Sequence, residues 1–535
     1  MHSVVAMLIV GVLGAAAEDV VVTTKLGRLR GSRVSTGPST YLDTFFGIPF
    51  AKPPVGPLRF SPTQPAEPWD GTRDAIDFGP ACPQKHETPT FPTSEDCLTL
   101  NIHRHCSADC QPMPVMMWIH GGGFWENSGS GTNGTELAMK GVVVVSVNYR
   151  LDILGFLSTG DDSSPGNYGL LDLIQALKWI KENIASFHGN PDDVTIFGES
   201  AGGVLSSQLR ISPLAKGLVK KAIMESGVTM ATWAVSLPTT TPTPLSQAQA
   251  VAAKVGCPTD RGTSALVSCL KGQPLDTLIT AAASIRTDYG SKFIPVVETG
   301  FGVLPKPPEQ LILEGAGADV LAIRGCTRDE SSIDMEFWFN PNEYDLNTAE
   351  RETMNRAASN FPRGPQEAGR ALFKEYVQSI SQPTSQQLAL AVAQLDTDLG
   401  FNYPMIHESQ LAVSNSSAAR QYVYQFSYLS PNSNHPQWTG VPHTAEIPFV
   451  FGEPFGNDTN WTDTDRRVST DVMTMWTNLA KYGDPTPQGV SKVTWGAYYK
   501  ATQFYLKFQE TPSLDNHLNR QRMDLLKSLY ERFGA

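Results

Sequence analysis

The stretch with the clearest capacity for chemistry is Val194-Thr195-Ile196-Phe197-Gly198-Glu199-Ser200-Ala201-Gly202-Gly203. A β-branched apolar run stops at a glycine, one serine follows, and small residues lead into a helix-compatible segment. This is the strand–turn–helix context of a G-x-S-x-G elbow, in which the serine is lifted clear of a sheet. A turn that sharp leaves no room for a Cβ on either side of Ser200, which is the reason for glycine there. A serine hydroxyl is a weak nucleophile at its ordinary pKa. Attack on a carbonyl therefore also needs a base, a group that orients the base, and donors for the oxyanion that forms. Chance alone supplies the five-residue pattern roughly 0.3 times in a chain of this length and composition, so the other residues must decide.

A donor loop is present upstream. The apolar run Val115 to Ile119 ends in His120-Gly121-Gly122-Gly123-Phe124. Consecutive glycines after a strand let the backbone approach a substrate and aim N–H groups at one point, each worth about 3 kcal/mol in the transition state. Of the ten histidines, His86, His103, His105, His435 and His517 lie in polar, loop-like surroundings. His443 differs: it sits in Gly440-Val441-Pro442-His443-Thr444-Ala445-Glu446, beyond an apolar run at 422–428. The acid is expected between serine and histidine in chain order, and Gly325-Cys326-Thr327-Arg328-Asp329-Glu330 follows the strand-like run 320–323. Active-site groups gather at the carboxyl ends of such strands. The residues alone leave Asp329 and Glu330 as equal candidates.

These motifs carry a resemblance. Glu95-Asp96-Cys97-Leu98, His120 to Phe124, Phe197 to Gly203, Asp329-Glu330 and Gly440 to His443 together make the chain, from about residue 20 to about residue 530, similar to the carboxylesterase/cholinesterase (type B carboxylesterase) family of α/β-hydrolases. The resemblance implies Ser200 as nucleophile, His443 as base and Glu330 as the acid. It implies an oxyanion hole from the N–H groups of Gly122, Gly123 and Ala201. It also implies disulfides Cys82–Cys97 and Cys257–Cys269, and it places Glu199 and Ser226 in a buried polar network behind the triad. The expected activity is hydrolysis of small carboxylic esters through an acyl-enzyme, with no cofactor and no metal. Lipase-like and cholinesterase-like enzymes, and a cholinesterase-like binding protein, are the alternatives.

Such a site needs a sheet to hold it. Val115–Ile119, Val142–Val147, 194–197, Ala222–Met224, Val320–Ile323 and Tyr422–Tyr428 read as strands. Gly169–Phe187, Gln247–Val255 and the Val468–Leu479 pattern read as helices. Strands alternating with helices predict an α/β fold with a large, mostly parallel central sheet and helical insertions. Val20–Val34 reads as short edge strands turned at Gly27 and Gly31. The 535 residues carry a formal net charge of −12, and with no basic block this argues against a nucleic-acid partner. Met1 to Ala17 reads as a secretory signal: an apolar run ends in Ala15-Ala16-Ala17 and is too short to span a bilayer. Residues 18–535 then form one catalytic domain, expected to be secreted. Sequons at Asn133, Asn415, Asn457 and Asn460 are expected glycosylation sites.

The departures from the family concern specificity. The loop from Pro83 to Asp96 holds no tryptophan, where cholinesterases carry the aromatic face for a quaternary ammonium. Choline selectivity is therefore not expected. Tyr289-Gly290-Ser291 stands where acetyl-selective relatives carry paired aromatics, implying room for a bulkier acyl group. Ser212 to Lys216 and Glu225 to Val228 resemble the broad-specificity liver-type carboxylesterases. Of the remaining cysteines, a local bridge between Cys106 and Cys110 is expected, with Cys326 a buried inert thiol.

Overall fold

Strands buried on both faces read as near-continuous apolar runs, and the centre of this protein is built from them. The structure is a computed structural model describing residues 18–534 apart from 86–91, 108, 239, 286–292, 339–342, 415–419 and 489–492. The expected signal Met1–Ala17, His86, Tyr289-Gly290-Ser291 and the Asn415 sequon lie outside the described residues.

Among the described residues one sheet contains β1 (Glu18–Thr23), β2 (Arg28–Gly37), β3 (Thr40–Pro49), β4 (Thr72–Asp74), β5 (Thr99–Ser107), β6 (Met113–Ile119) and β7 (Val143–Val147). It continues with β8 (Gly189–Glu199), β9 (Lys221–Glu225), β10 (Leu321–Thr327), β11 (Gln421–Phe426), β12 (Phe504–Phe508) and β13 (Ser513–Asn516). The spatial order is β1-β2-β3-β5-β7-β6-β8-β9-β10-β11-β12-β13, with β4 beside β2. From β7 to β12 every pairing is parallel. The run from β1 through β7, and the β12–β13 edge, are antiparallel. The sheet is thus mixed, parallel where the candidate chemistry lies.

Side chains alternate across this sheet with the two-residue period of a strand. Val115, Met117 and Ile119 of β6 enter one core, while Met116 and Trp118 enter the other with Phe197, Trp476 and Trp495. Each fully buried aliphatic side chain contributes about 1.5–3 kcal/mol. Parallel neighbours need crossovers. Helix Tyr168–Asn183 joins β7 to β8, helix Ala201–Ile211 joins β8 to β9, and helix Asp463–Tyr482 lies between β11 and β12. Between β10 and β11 the chain inserts helices 332–338, 346–360, 365–373, 385–397 and 403–414. Much of that insertion shares a separate apolar cluster with the final helix, Arg520–Phe533. No helix of the described residues is long and apolar enough to cross a membrane.

Three local expectations are corrected. Gly31 is not a turn: it lies inside β2 opposite Val20, and a Cβ there would come 2.4 Å from Phe45 and from the Thr44 carbonyl. His103 and His105 are strand residues of β5 rather than loop residues. β5 is polar in sequence yet buried because its charges are paired, Arg104 Nε donating to Asp43 at 2.8 Å. His103 is buried with its pKa lowered to about 4 by desolvation, so the ring is neutral there. Finally, Cys106 and Cys110 are free thiols, not a bridge. Cys106 is held in strand register with Tyr41. Cys110 follows a turn closed by its N–H on the Ser107 carbonyl, and its thiol donates to the Gln111 carbonyl at 3.6 Å. Cys82–Cys97 and Cys257–Cys269 are disulfides, with Cα separations of 5.0 and 5.7 Å.

Candidate active site

Ser200 stands between β8 and helix Ala201–Ile211 with φ 58° and ψ −123°. A positive φ on a residue with a side chain is strained, and the surroundings enforce it. The Ser200 N–H donates to the Glu225 carbonyl at 2.8 Å. A Cβ on Gly198 would lie 2.5 Å from the Ile119 carbonyl, one on Gly202 would lie 1.9 Å from the same oxygen, and one on Gly227 would lie 2.1 Å from the Ser200 carbonyl. The flanking glycines are thus required by close approach, while the unusual dihedral falls on the serine itself.

The glycine loop after β6 rests on this elbow. A Cβ on Gly121 would come within 3.1 Å of the Ser200 Cβ. Gly122 and Gly123 have φ of 100° and 57°, the region that favours glycine. The Gly122 carbonyl accepts from the N–H groups of Trp125 and Glu126, both at 3.0 Å. Those bonds turn the loop back on itself.

The loop after β10 supplies the acid side. Glu330 is fully buried; its Oε1 accepts from the Thr327 N–H at 2.7 Å and its Oε2 lies 2.5 Å from His443 Nδ1. A carboxylate only accepts, so the proton sits on Nδ1. The His443 N–H also donates to the Glu330 carbonyl at 3.1 Å. Asp329 does other work: its Oδ2 accepts from the Val441 N–H at 2.9 Å and from Arg328 at 2.7 Å. It therefore anchors the loop that carries the histidine.

On its other side, His443 Nε2 lies 3.1 Å from Glu199 Oε1. Burial alone lowers the imidazole pKa, but the charges of Glu199, Glu330 and Glu446 outweigh it and hold the pKa above its ordinary value. Glu199 is itself raised to about 7, by burial first, against the pull of His443. Behind them the Ser226 hydroxyl donates to Glu446 at 3.1 Å, and Trp476 Nε1–H donates to Glu225 at 2.8 Å. Glu225 is pushed up to about 8 by burial, and Glu446 is raised well above the ordinary range by burial. Of these acids, sequence reasoning singled out Glu199 and Glu330. Glu446 lies three residues past His443 in the same motif, a spacing that could have drawn notice. Glu225 entered the sequence reading only within the Glu225 to Val228 resemblance, with no part in the chemistry.

An aromatic wall borders the site. Phe401 lies 5.3 Å from the His443 ring, Trp233 lies 5.6 Å from Phe401, and Phe124 lies 6.3 Å from Trp233 between ring centroids. No group of three metal-ligating side chains occurs among the described residues. Asn133, Asn457 and Asn460 are exposed.

A mixed sheet flanked by helices, with a strained serine at the end of a central strand and a hydrogen-bonded glutamate and histidine on loops after later strands, has the architecture of an α/β-hydrolase. The sequence signature of the carboxylesterase family matches residues 18–526, and the chain belongs to that family. It is 35% identical to a medium-chain fatty acyl-CoA hydrolase precursor of Anas platyrhynchos, over 97% of this chain and 94% of the relative. It is 34% identical to a cocaine esterase of Homo sapiens, over 97% and 93%. It is also 34% identical to a bile salt-activated lipase of Bos taurus, over 92% and 84%. The protein is a carboxylic ester hydrolase of the type B carboxylesterase family.

Proposed function

We propose that the protein hydrolyses carboxylic esters through Ser200, His443 and Glu330. The observation that carries this reading is the 2.5 Å contact between Glu330 and His443 Nδ1, on a histidine whose other ring nitrogen lies 3.1 Å from Glu199, the residue before Ser200. His443 Nε2 takes the Ser200 proton as the hydroxyl oxygen attacks the ester carbonyl, and returns it to the departing alcohol. Water then repeats the cycle on the acyl-enzyme. Glu330 holds the reactive tautomer and stabilises the imidazolium. The N–H groups of Gly122, Gly123 and Ala201 receive the oxyanion. Among the described residues none of the three is spent on a backbone or side-chain acceptor, which leaves them available for a negative oxygen.

The wall of Phe124, Trp233 and Phe401 favours an apolar acyl or alcohol group. The relatives named above include a fatty acyl-CoA hydrolase, a cocaine esterase and a lipase. A chain-length series of p-nitrophenyl esters separates short-ester from lipase-like preference. Ser200→Ala is expected to abolish turnover and fluorophosphonate labelling while leaving the thermal unfolding midpoint within a few degrees. Turnover retained by folded mutant would refute the assignment. The protein is proposed to be secreted and to carry glycans on its exposed sequons, a reading tested by mass spectrometry of material from the medium of an expressing eukaryotic culture.

A further inference from the structure

The Gly121-Gly122-Gly123 loop is useful only if its peptide planes face the right way, and glycine offers no steric resistance to flipping. In a trans peptide the carbonyl and the following N–H point in opposite directions. Whatever holds a carbonyl on one side therefore aims the next N–H to the other. Gly122 has such a hold: its carbonyl takes the Trp125 and Glu126 N–H groups, which sets the Gly123 N–H. The Gly121 carbonyl lies 2.8 Å from His120 Nδ1. A carbonyl only accepts, so the ring must carry its proton on Nδ1 and donate. That bond sets the Gly122 N–H.

The His120 ring is in turn held by Tyr149. The two rings stack at 4.5 Å between centroids with 23° between planes. The Tyr149 hydroxyl donates to the His120 carbonyl at 2.9 Å. Tyr149 is fully buried and burial, with the charge of Glu199 nearby, raises its pKa, so the phenol keeps its proton. The His120 ring is kept neutral, its pKa lowered to about 4 by burial. Tyr149 cannot drift, because its neighbours on both sides are buried polar anchors. Asn148 Nδ2 donates to the carbonyls of Pro80 and Cys97, both at 3.0 Å. Arg150 grips Asp172 with two bonds of 2.8 Å.

We propose that Tyr149, acting through His120, is a positioning residue that prevents the Gly121–Gly122 peptide from flipping and so keeps the oxyanion hole formed. This rests on the reading of Gly122 and Gly123 as oxyanion donors. Tyr149 touches no reacting atom. Its hydroxyl and ring set the direction of an N–H two residues beyond the carbonyl it grips.

The test is Tyr149→Phe, which deletes only the hydroxyl, together with His120→Asn, whose side-chain amide can place an N–H where Nδ1 stands, and His120→Ala, which cannot. Kinetics on a p-nitrophenyl ester are normalised to active sites titrated with a fluorophosphonate. A trifluoromethyl ketone, which forms an oxyanion on Ser200, serves as the transition-state probe. For Tyr149→Phe the expected result is kcat lower by about tenfold with KM within about twofold, and ketone Ki raised by a similar factor. His120→Asn is expected to retain more kcat than His120→Ala. A structural role alone would lower the active-site titre or the unfolding midpoint without moving ketone affinity per active site. If Tyr149→Phe keeps kcat and ketone Ki within twofold of the parent, the proposal is overturned. If the parent enzyme itself shows no ketone inhibition, the oxyanion-hole reading fails instead, and the two failures are distinguishable.

Discussion

Glu199 Oε1 lies 3.1 Å from His443 Nε2, on the ring nitrogen opposite the one held by Glu330. The imidazole is thus flanked by two carboxylates, and both favour its cationic form. Removing Glu199's charge should lower the histidine pKa. A base with a lower pKa is deprotonated at lower pH, so the acid limb of kcat/KM should move down in pH for Glu199→Gln, by about one unit. A limb that stays put or moves upward would show that Glu199 does not act on the base electrostatically.

The adjacent acids at 329 and 330 should separate sharply in mutagenesis. Glu330→Gln leaves the size of the side chain unchanged but removes the charge that holds the Nδ1 tautomer, and a loss in kcat of about 10³- to 10⁴-fold is expected. Asp329→Asn weakens the tie to Val441 and Arg328 and should lower thermal stability more than it lowers kcat. Steady-state kinetics with melting curves on both variants make the comparison, and equal kcat losses would contradict it.

Glycines near the elbow should differ in cost from glycines on open turns. Gly202→Ala would force a Cβ to 1.9 Å from the Ile119 carbonyl, and a destabilisation of about 3 kcal/mol is expected. Gly141 has φ 84° with no atom within 4 Å of an added Cβ, so Gly141→Ala pays backbone strain alone, about 1–2 kcal/mol. Urea unfolding midpoints of the two variants should rank in that order. Only Gly202→Ala should also lose activity in the absence of urea, where both variants are folded.

Glu225 makes stability depend on pH. Its carboxyl is pushed from 4.5 to about 8 by burial, so the folded state keeps a proton that the unfolded chain has released. The sign follows from linkage: the contribution is complete below about pH 4.5 and is lost as pH rises toward 8. His443, whose pKa is also raised above its ordinary 6.5, acts in the same direction above that pH. Melting temperatures of the parent should therefore fall between pH 5 and 8, and Glu225→Gln should fall less steeply. Parallel slopes would remove Glu225 from the account.

Thiol counting checks the cysteine arrangement. Denatured, unreduced protein should release three reactive thiols, from Cys106, Cys110 and Cys326. A count of one would mean that Cys106 and Cys110 pair in the isolated protein.

Much of the site was legible in the linear chain because its parts are local. Gly198-Glu199-Ser200-Ala201-Gly202 and His120 to Gly123 are contiguous motifs whose residue types are dictated by turns too tight for a Cβ. β6, β7, β8, β9, β10 and β11 announced themselves because both of their faces are buried. The flanking strands β3 and β5 did not, since their polar residues are satisfied by partners distant in sequence, as Arg104 is by Asp43. The residues alone could not divide the roles of Asp329 and Glu330. That division depends on which carboxylate meets a ring more than a hundred residues away, a matter of loop direction rather than composition. The second acid on His443, the clustering of Glu225 and Glu446 behind it, the unbonded Cys106 and Cys110, and the grip of Tyr149 on the oxyanion loop were likewise decided by tertiary structure. Each depends on where a side chain or a carbonyl points, and a one-dimensional pattern of residue types does not encode direction between segments that meet only when the sheet has formed.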